Sequence, residues 1–128
     1  MIKEALVLAA LALGQTLTVI DGDTVRIAGV SIRLTDYDAP ELYHPKCLKE
    51  HALAWQARRE LQALLTLAEA GSLKMSFKLT PCATNNWGRL CAEATIDGKP
   101  LAAHMIALKF ATPYNLPTGL MPEEGRLV

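Results

Sequence analysis

The chain has no excess of charge of either sign. Its 128 residues include 13 lysines and arginines and 13 aspartates and glutamates, so the formal net charge is zero. This balance argues against a broad basic face that would bind nucleic acid tightly by neutralising phosphates. A polyanionic ligand would have to be attracted by charge that is local to a cleft.

Long apolar runs and metal-binding cysteine pairs are also missing. No run reaches the roughly 18–20 apolar residues that span a bilayer, so we expect no stable membrane association. The three cysteines contain no C-x-x-C pair, which argues against a cysteine metal cluster. Cys82 and Cys91 flank a predicted turn. In one interpretation these two form a disulfide across a hairpin and Cys47 is unpaired. In the other, all three cysteines are free thiols.

The length fits one domain with a sizeable core. Residues 1–14 combine Lys3, a compact apolar run and a small-x-small end, which is typical of a secretory signal peptide. The alternative is an N-terminal helix that packs on the domain. The first interpretation predicts a secreted or periplasmic protein, and the second a cytoplasmic one. Residues 15–115 would then form the domain and 116–128 an irregular tail.

Alternating apolar residues predict five strands, at residues 16–20, 24–28, 30–35, 73–79 and 90–96. A long helix is predicted over Cys47–Ala70, with Trp55 in the core, and a short one over Leu101–Lys109. Residues 36–45 and everything from Thr112 onward are predicted to be irregular.

This order of elements predicts an α+β fold built on a five-stranded Greek-key β-barrel of the OB type. The long helix follows strand 3 and the short helix follows strand 5. Gly119 and Pro122 argue against a third helix in the tail. We expect the protein to be a monomer.

Charged residues are concentrated between the first three strands. Asp21 to Glu41 holds five carboxylates and two arginines, and Arg89 follows in a later turn. Carboxylates that converge repel one another unless a cation or arginines lie between them. Taken singly, these motifs are turns, solvated loops and surface ion pairs. Taken together and in this order, they indicate a site for phosphodiester hydrolysis around a hard cation.

Three motifs resemble those of the staphylococcal-nuclease family, the thermonucleases. They are Ile-Asp-Gly-Asp-Thr-Val at 20–25, Arg-Leu-x-x-x-Asp-x-Pro-Glu at 33–41 and Trp-Gly-Arg at 87–89. The similarity covers about residues 15–115 in a consistent order. It implies a calcium-dependent endonuclease with an OB fold, which hydrolyses DNA and RNA and leaves 3′-phosphate ends.

The resemblance also implies a set of metal ligands. Asp23 and Asp38 would bind Ca²⁺ through carboxylates, and Ala39 through its backbone carbonyl. Asp21, on the near side of the same turn, would support the site without binding the metal. Glu41 would activate the attacking water.

The remaining site residues would contact the substrate. Arg33 and Arg89 match the phosphate-binding arginines of the family. Trp87 and Tyr114 would contact bases, or else belong to ordinary packing. The alternative function is a non-catalytic OB-type module that binds single-stranded nucleic acid or a protein partner, which the neutral charge and the short C-terminus favour. A metal-stabilised structural domain is a third hypothesis.

Overall fold

The computed structural model describes residues 2–40, 48–82 and 90–113, and within these ranges the fold is α+β, as the sequence predicts. In chain order, the elements of these ranges are α1 Ile2–Ala12, β1 Thr18–Asp21, β2 Thr24–Ile27, β3 Val30–Leu34, β4 Tyr37–Asp38, α2 Leu48–Glu69, β5 Met75–Thr80, β6 Leu90–Ile96, β7 Lys99–Pro100, α3 Leu101–Ala107 and β8 Thr112–Pro113. No helix of the described ranges is long and apolar enough to cross a membrane. The predicted tail, 116–128, lies outside them.

The main sheet is mixed and has the strand order β1-β2-β3-β6-β5. Strands β1 to β3 form an antiparallel meander, β3 pairs in parallel with β6, and β6 pairs antiparallel with β5 and with the short β7. Residues 28–29 and 97–98 make tight turns with positive φ at both positions, as suits two-residue hairpin loops.

The predicted closure of the sheet into a barrel is wrong for the described residues. No ladder joins β1 to β5, and the sheet stays open there. Helix α1 occupies most of the chain before β1, and β1 itself is only four residues long. A cavity of about 470 Å³ separates Leu17, next to β1, from Met75 and Phe77 on β5.

Two short strands lie where the sequence predicts irregular chain. β4 pairs antiparallel with β8, so that Tyr37 lies opposite Pro113 and Asp38 opposite Thr112. Thr112 is buried, at 3% exposure. A bridge of two residues is too short to produce an alternating pattern, so the sequence gives no signal for it.

The sequence predicts an apolar stripe on α2 at Leu53, Ala57, Leu61, Leu64 and Leu65. The last four are buried, whereas Leu53 is half-buried. The prediction that Trp55 belongs to the core is wrong, because 42% of it is exposed. Successive helical residues are turned by about 100°, so a residue two positions before Ala57 lies on the far side of the helix.

The N-terminal segment forms a helix that packs on the domain. Val7 and Ala10 are buried, whereas Ile2, Leu6 and Leu8 are exposed. Helix α1 is thus apolar on its inner and its outer side. Its removal as a signal peptide remains a prediction.

A disulfide joins Cys82, just after β5, to Cys91 in β6. The two Cα atoms are 5.2 Å apart, and nine positions separate the residues in the chain. The bond therefore ties together the two ends of the segment that contains the predicted site residues Trp87 and Arg89.

Loss of this disulfide should destabilise the protein. Cys82→Ser should lower the free energy of unfolding by about 2–3 kcal/mol, because a cross-link over a short loop restricts the unfolded chain. Urea denaturation measures this, with Cys47→Ser in both proteins to prevent new pairings. Dithiothreitol should lower the urea midpoint of the control, the Cys47→Ser protein, to that of the protein that also carries Cys82→Ser. A Cys47→Ser protein whose urea midpoint does not change in dithiothreitol would contradict the prediction.

Candidate metal and phosphate site

The tight turn between β1 and β2 presents a buried carboxylate. Asp23 is 8% exposed, and both of its side-chain oxygens accept hydrogen bonds. The Thr24 hydroxyl donates to Oδ1 at 3.0 Å, and the backbone N–H of Ala39 donates to Oδ2 at 2.9 Å. The backbone N–H of Leu34 donates to the Asp23 carbonyl at 2.8 Å. The turn is thereby fixed to β3 and to the segment after β4.

Arg33 of β3 lies between two carboxylates. Its Nη1 is 3.3 Å from Asp23 Oδ2, and its Nη2 donates to Asp38 Oδ1. Nη1 also donates to the backbone carbonyls of Leu34, at 2.6 Å, and Tyr37, at 3.1 Å. The structure thus brings together three predicted site residues that come from a turn and two strands.

Tyr37 holds the turn between β1 and β2 in place, a role that the predictions from the sequence do not include. We call this turn, residues 21–23, the acidic turn. Its side chain is buried, and its hydroxyl donates to the Gly22 carbonyl at 2.7 Å. Burial, and to a lesser extent the charge of Asp23, raises the pKa of Tyr37 well above its ordinary value of 10.0. The hydroxyl therefore remains a hydrogen-bond donor at physiological pH. Its position between Asp36 and Asp38 in the motif is the one sequence signal that could have indicated it.

Gly22 allows α2 to approach the turn closely. A Cβ atom at this position would lie 2.6 Å from Ala57 Cβ and 2.9 Å from Ala39 Cβ. Such distances are too short for any side chain. Only a glycine at this position therefore lets the acidic turn contact both α2 and the segment after β4.

The charge of Asp23 is costly where it lies. Burial raises its pKa above the ordinary value of 3.8, although Arg33 and the hydrogen bonds from Ala39 and Thr24 act in the opposite direction. The folded protein therefore holds this proton more tightly than the unfolded chain does. The contribution of this proton to the free energy of unfolding is complete below pH 3.8, and it is lost as the pH rises through the raised pKa of Asp23. A positive charge close to Asp23, such as that of Arg33, favours the ionised form of its carboxyl group.

The donor set suits a hard cation. Asp23 and Asp38 both reach the same guanidinium, and the Ala39 backbone lies directly beside Asp23. No group of three or more acidic, histidine or cysteine side chains converges within the described ranges. Two carboxylates with water, and with the Ala39 carbonyl that the resemblance implies, are nevertheless a set that Ca²⁺ accepts, because its geometry is flexible and its ligands are oxygens. The guanidinium of Arg33 lies between the two carboxylates.

The other predicted site residues divide into two groups. Asp21 ends β1 and is half-buried next to the turn. Glu41, Trp87, Arg89 and Tyr114 lie outside the described residues. No protein-family description matches this chain, and a search of curated proteins finds no relative. The likeness to thermonucleases therefore depends on the motifs.

Replacing Tyr37 by phenylalanine should test the support of the turn. The change leaves the buried Gly22 carbonyl without its donor, which should lower the free energy of unfolding by about 1–3 kcal/mol. Urea denaturation of wild type and Tyr37→Phe measures the difference. Equal midpoints for the two proteins would show that the hydrogen bond does not hold the turn.

Proposed function

We propose that this protein is a calcium-dependent phosphodiesterase that hydrolyses DNA and RNA with little sequence specificity and leaves 3′-phosphate ends. The observation that carries the proposal is the placement of the Arg33 guanidinium between the carboxylates of Asp23 and Asp38. The motifs shared with the thermonucleases supply the reaction type.

We also propose that the domain is a relative of the OB fold. An OB fold is a five-stranded, partly open Greek-key barrel. The sheet here has five main strands with a parallel pair at β3 and β6, and its opening lies between β1 and β5. One further ladder, across the cavity beside Leu17, would close it.

Asp23, Asp38 and the Ala39 carbonyl would hold the cation. A bound Ca²⁺ would polarise a phosphate oxygen and reduce the repulsion between the phosphate and the attacking oxygen. Asp23 is prepared for this role, because Thr24 and the Ala39 N–H already fix its orientation. The cation would also favour the ionised form that burial opposes.

Arg33 would exchange one partner for the substrate. Its Nη1 is held by the carbonyls of Leu34 and Tyr37, whereas its Nη2 contacts the Asp38 side chain, which is 44% exposed. In the complex, Asp38 would turn to the cation and Nη2 would donate to a phosphate oxygen. A guanidinium can donate two parallel bonds to a phosphate, and removal of one such donor typically costs about 10²–10³ in rate.

Residues predicted from the sequence would complete the reaction. Glu41 would take a proton from the attacking water, and the new phosphorus–oxygen bond would form as the bond to the 5′-oxygen breaks. The departing 5′-oxygen takes a proton from solvent. Arg89 would stabilise the charge that grows on the phosphate oxygens.

One observation favours a second function. Arg33 already has two carboxylate and two carbonyl partners, so the cluster is also satisfied as a structural ion-pair network. A non-catalytic OB-type module that binds single-stranded nucleic acid or a protein partner is compatible with this network and with the zero net charge. It predicts binding without cleavage and without a calcium requirement.

A calcium-titrated nuclease assay separates the two functions. Wild type should cleave single-stranded DNA and RNA in millimolar calcium and lose the activity in EDTA. Glu41→Gln should lower the rate by ~10²-fold or more at an unchanged melting temperature, since it removes the base. The control is Glu69→Gln, at the exposed far end of α2, which should retain full activity.

Two results would count against the proposal. Intact DNA in calcium, with no effect of EDTA, would leave the binding module as the better account. Loss of folding in Glu41→Gln would instead indicate a structural role for that carboxylate.

A further inference from the structure

One side of α2, outside the candidate site, carries an aromatic residue between two nitrogen-rich side chains. His51, Trp55 and Arg58 are spaced by four and three residues, so they follow one another on the same side of the helix. The indole Nε1 of Trp55 donates to His51 Nε2 at 3.1 Å. The central guanidinium carbon of Arg58 lies 5.5 Å from the centre of the indole ring. We call these three residues the indole patch.

The indole patch is exposed although its aromatic ring is large. Trp55 is 42% exposed, whereas the buried stripe of α2 faces the sheet. An indole gains a large apolar contribution when it is covered, so this exposure leaves a substantial area available to a ligand. The hydrogen bond from Nε1 and the neighbouring guanidinium limit the positions of the ring. A ring that is already ordered loses little entropy when a flat partner stacks on it.

Arg58 connects the patch to the strand that leads into the acidic turn. Its Nη2 donates to the Val19 carbonyl in β1 at 3.3 Å. Its buried Nε has no hydrogen-bond partner among the described residues, and the guanidinium makes no ion pair with a carboxylate of these ranges. Within the described ranges, the charge of Arg58 is therefore not paired with a carboxylate, and it lies next to an exposed ring.

Arg58 is the link between the patch and the candidate site, through its hydrogen bond to the Val19 carbonyl. Val19 is two residues before Asp21, and Ala57 of α2 packs directly on Gly22. Because Trp55 lies on the side of α2 away from Ala57, a nucleic-acid strand whose phosphate binds near Arg33 would have to pass Arg58 to reach the indole. Aromatic side chains bind bases by stacking, and a guanidinium adds attraction to the phosphates on either side.

We propose that the indole patch is a stacking subsite for a base of a single-stranded nucleic acid, next to the phosphate site. Trp55 stacks on the base, Arg58 supplies the positive charge, and His51 fixes the indole nitrogen. The subsite rests on the proposed function in one respect: the same strand must reach Arg33. Stacking makes it tolerant of sequence, because every base has an aromatic face.

Tryptophan fluorescence tests the subsite directly. The chain has two tryptophans, so Trp87→Phe leaves Trp55 as the only one. This protein is titrated with a short oligothymidylate and with an abasic oligomer of equal length, both in EDTA to prevent calcium-dependent cleavage. Oligothymidylate should quench Trp55 to saturation, and the abasic oligomer should not.

Variants on the same helix supply the controls. Trp55→Ala should weaken the binding of labelled oligothymidylate by about tenfold, which corresponds to about 1.4 kcal/mol. Trp55→Phe should keep most of the affinity. Leu67→Ala removes a side chain of similar exposure, 44%, from the far end of α2 and should leave binding unchanged. Melting temperatures exclude misfolding as the cause.

The outcomes separate the two proposals. Oligomers that bind and are cleaved without quenching Trp55, and with equal affinity for Trp55→Ala, would overturn the subsite and leave the phosphodiesterase intact. Quenching by oligothymidylate without cleavage in calcium would support the subsite and count against the enzyme. Equal quenching by the abasic oligomer would overturn base stacking, and absence of any binding in EDTA would overturn the subsite, while cleavage in calcium decides separately on the enzyme.

Discussion

The candidate site depends on one guanidinium that lies between two carboxylates. Asp23 is buried, and a buried carboxylate retains its charge only where a positive group or several hydrogen-bond donors are close. Arg33 supplies that charge, since it approaches Asp23 and also binds Asp38. Charged partners of this kind stabilise little by themselves, because desolvation offsets most of their attraction. This arrangement is the reason for the proposal that a ligand uses the charges.

Strand register places the guanidinium there. Arg33 lies opposite Thr24 in the β2–β3 ladder, and so beside the turn that carries Asp23. A slip of one residue would turn Arg33 to the other face of the sheet. Two further features keep the turn in register: the Tyr37 hydroxyl on the Gly22 carbonyl and the close contact of Gly22 with Ala57. The apolar core and the polar site are therefore parts of one packing arrangement.

Elements with a strong local pattern were predictable from the sequence. The bounds of β6 match the prediction at both ends, and α2 begins and ends within one residue of it. The β4–β8 bridge and the open edge beside Leu17 could not be predicted, because both depend on pairing between distant segments. In the site, motif spacing indicated the charged residues, whereas Tyr37 acts through a contact 15 residues away that no local pattern records. Trp55 was misplaced because residue type was given more weight than its angular position on α2.

Calorimetric titration with calcium is the most direct test of the central claim, which is that a cation and Arg33 share the carboxylates of Asp23 and Asp38. The account predicts one calcium per wild-type chain, weaker binding to Asp38→Asn, and binding at least as tight to Arg33→Met, because the competing guanidinium is gone. Absence of calcium binding to the wild type would contradict the account. So would a folded Arg33→Met variant that has lost calcium binding.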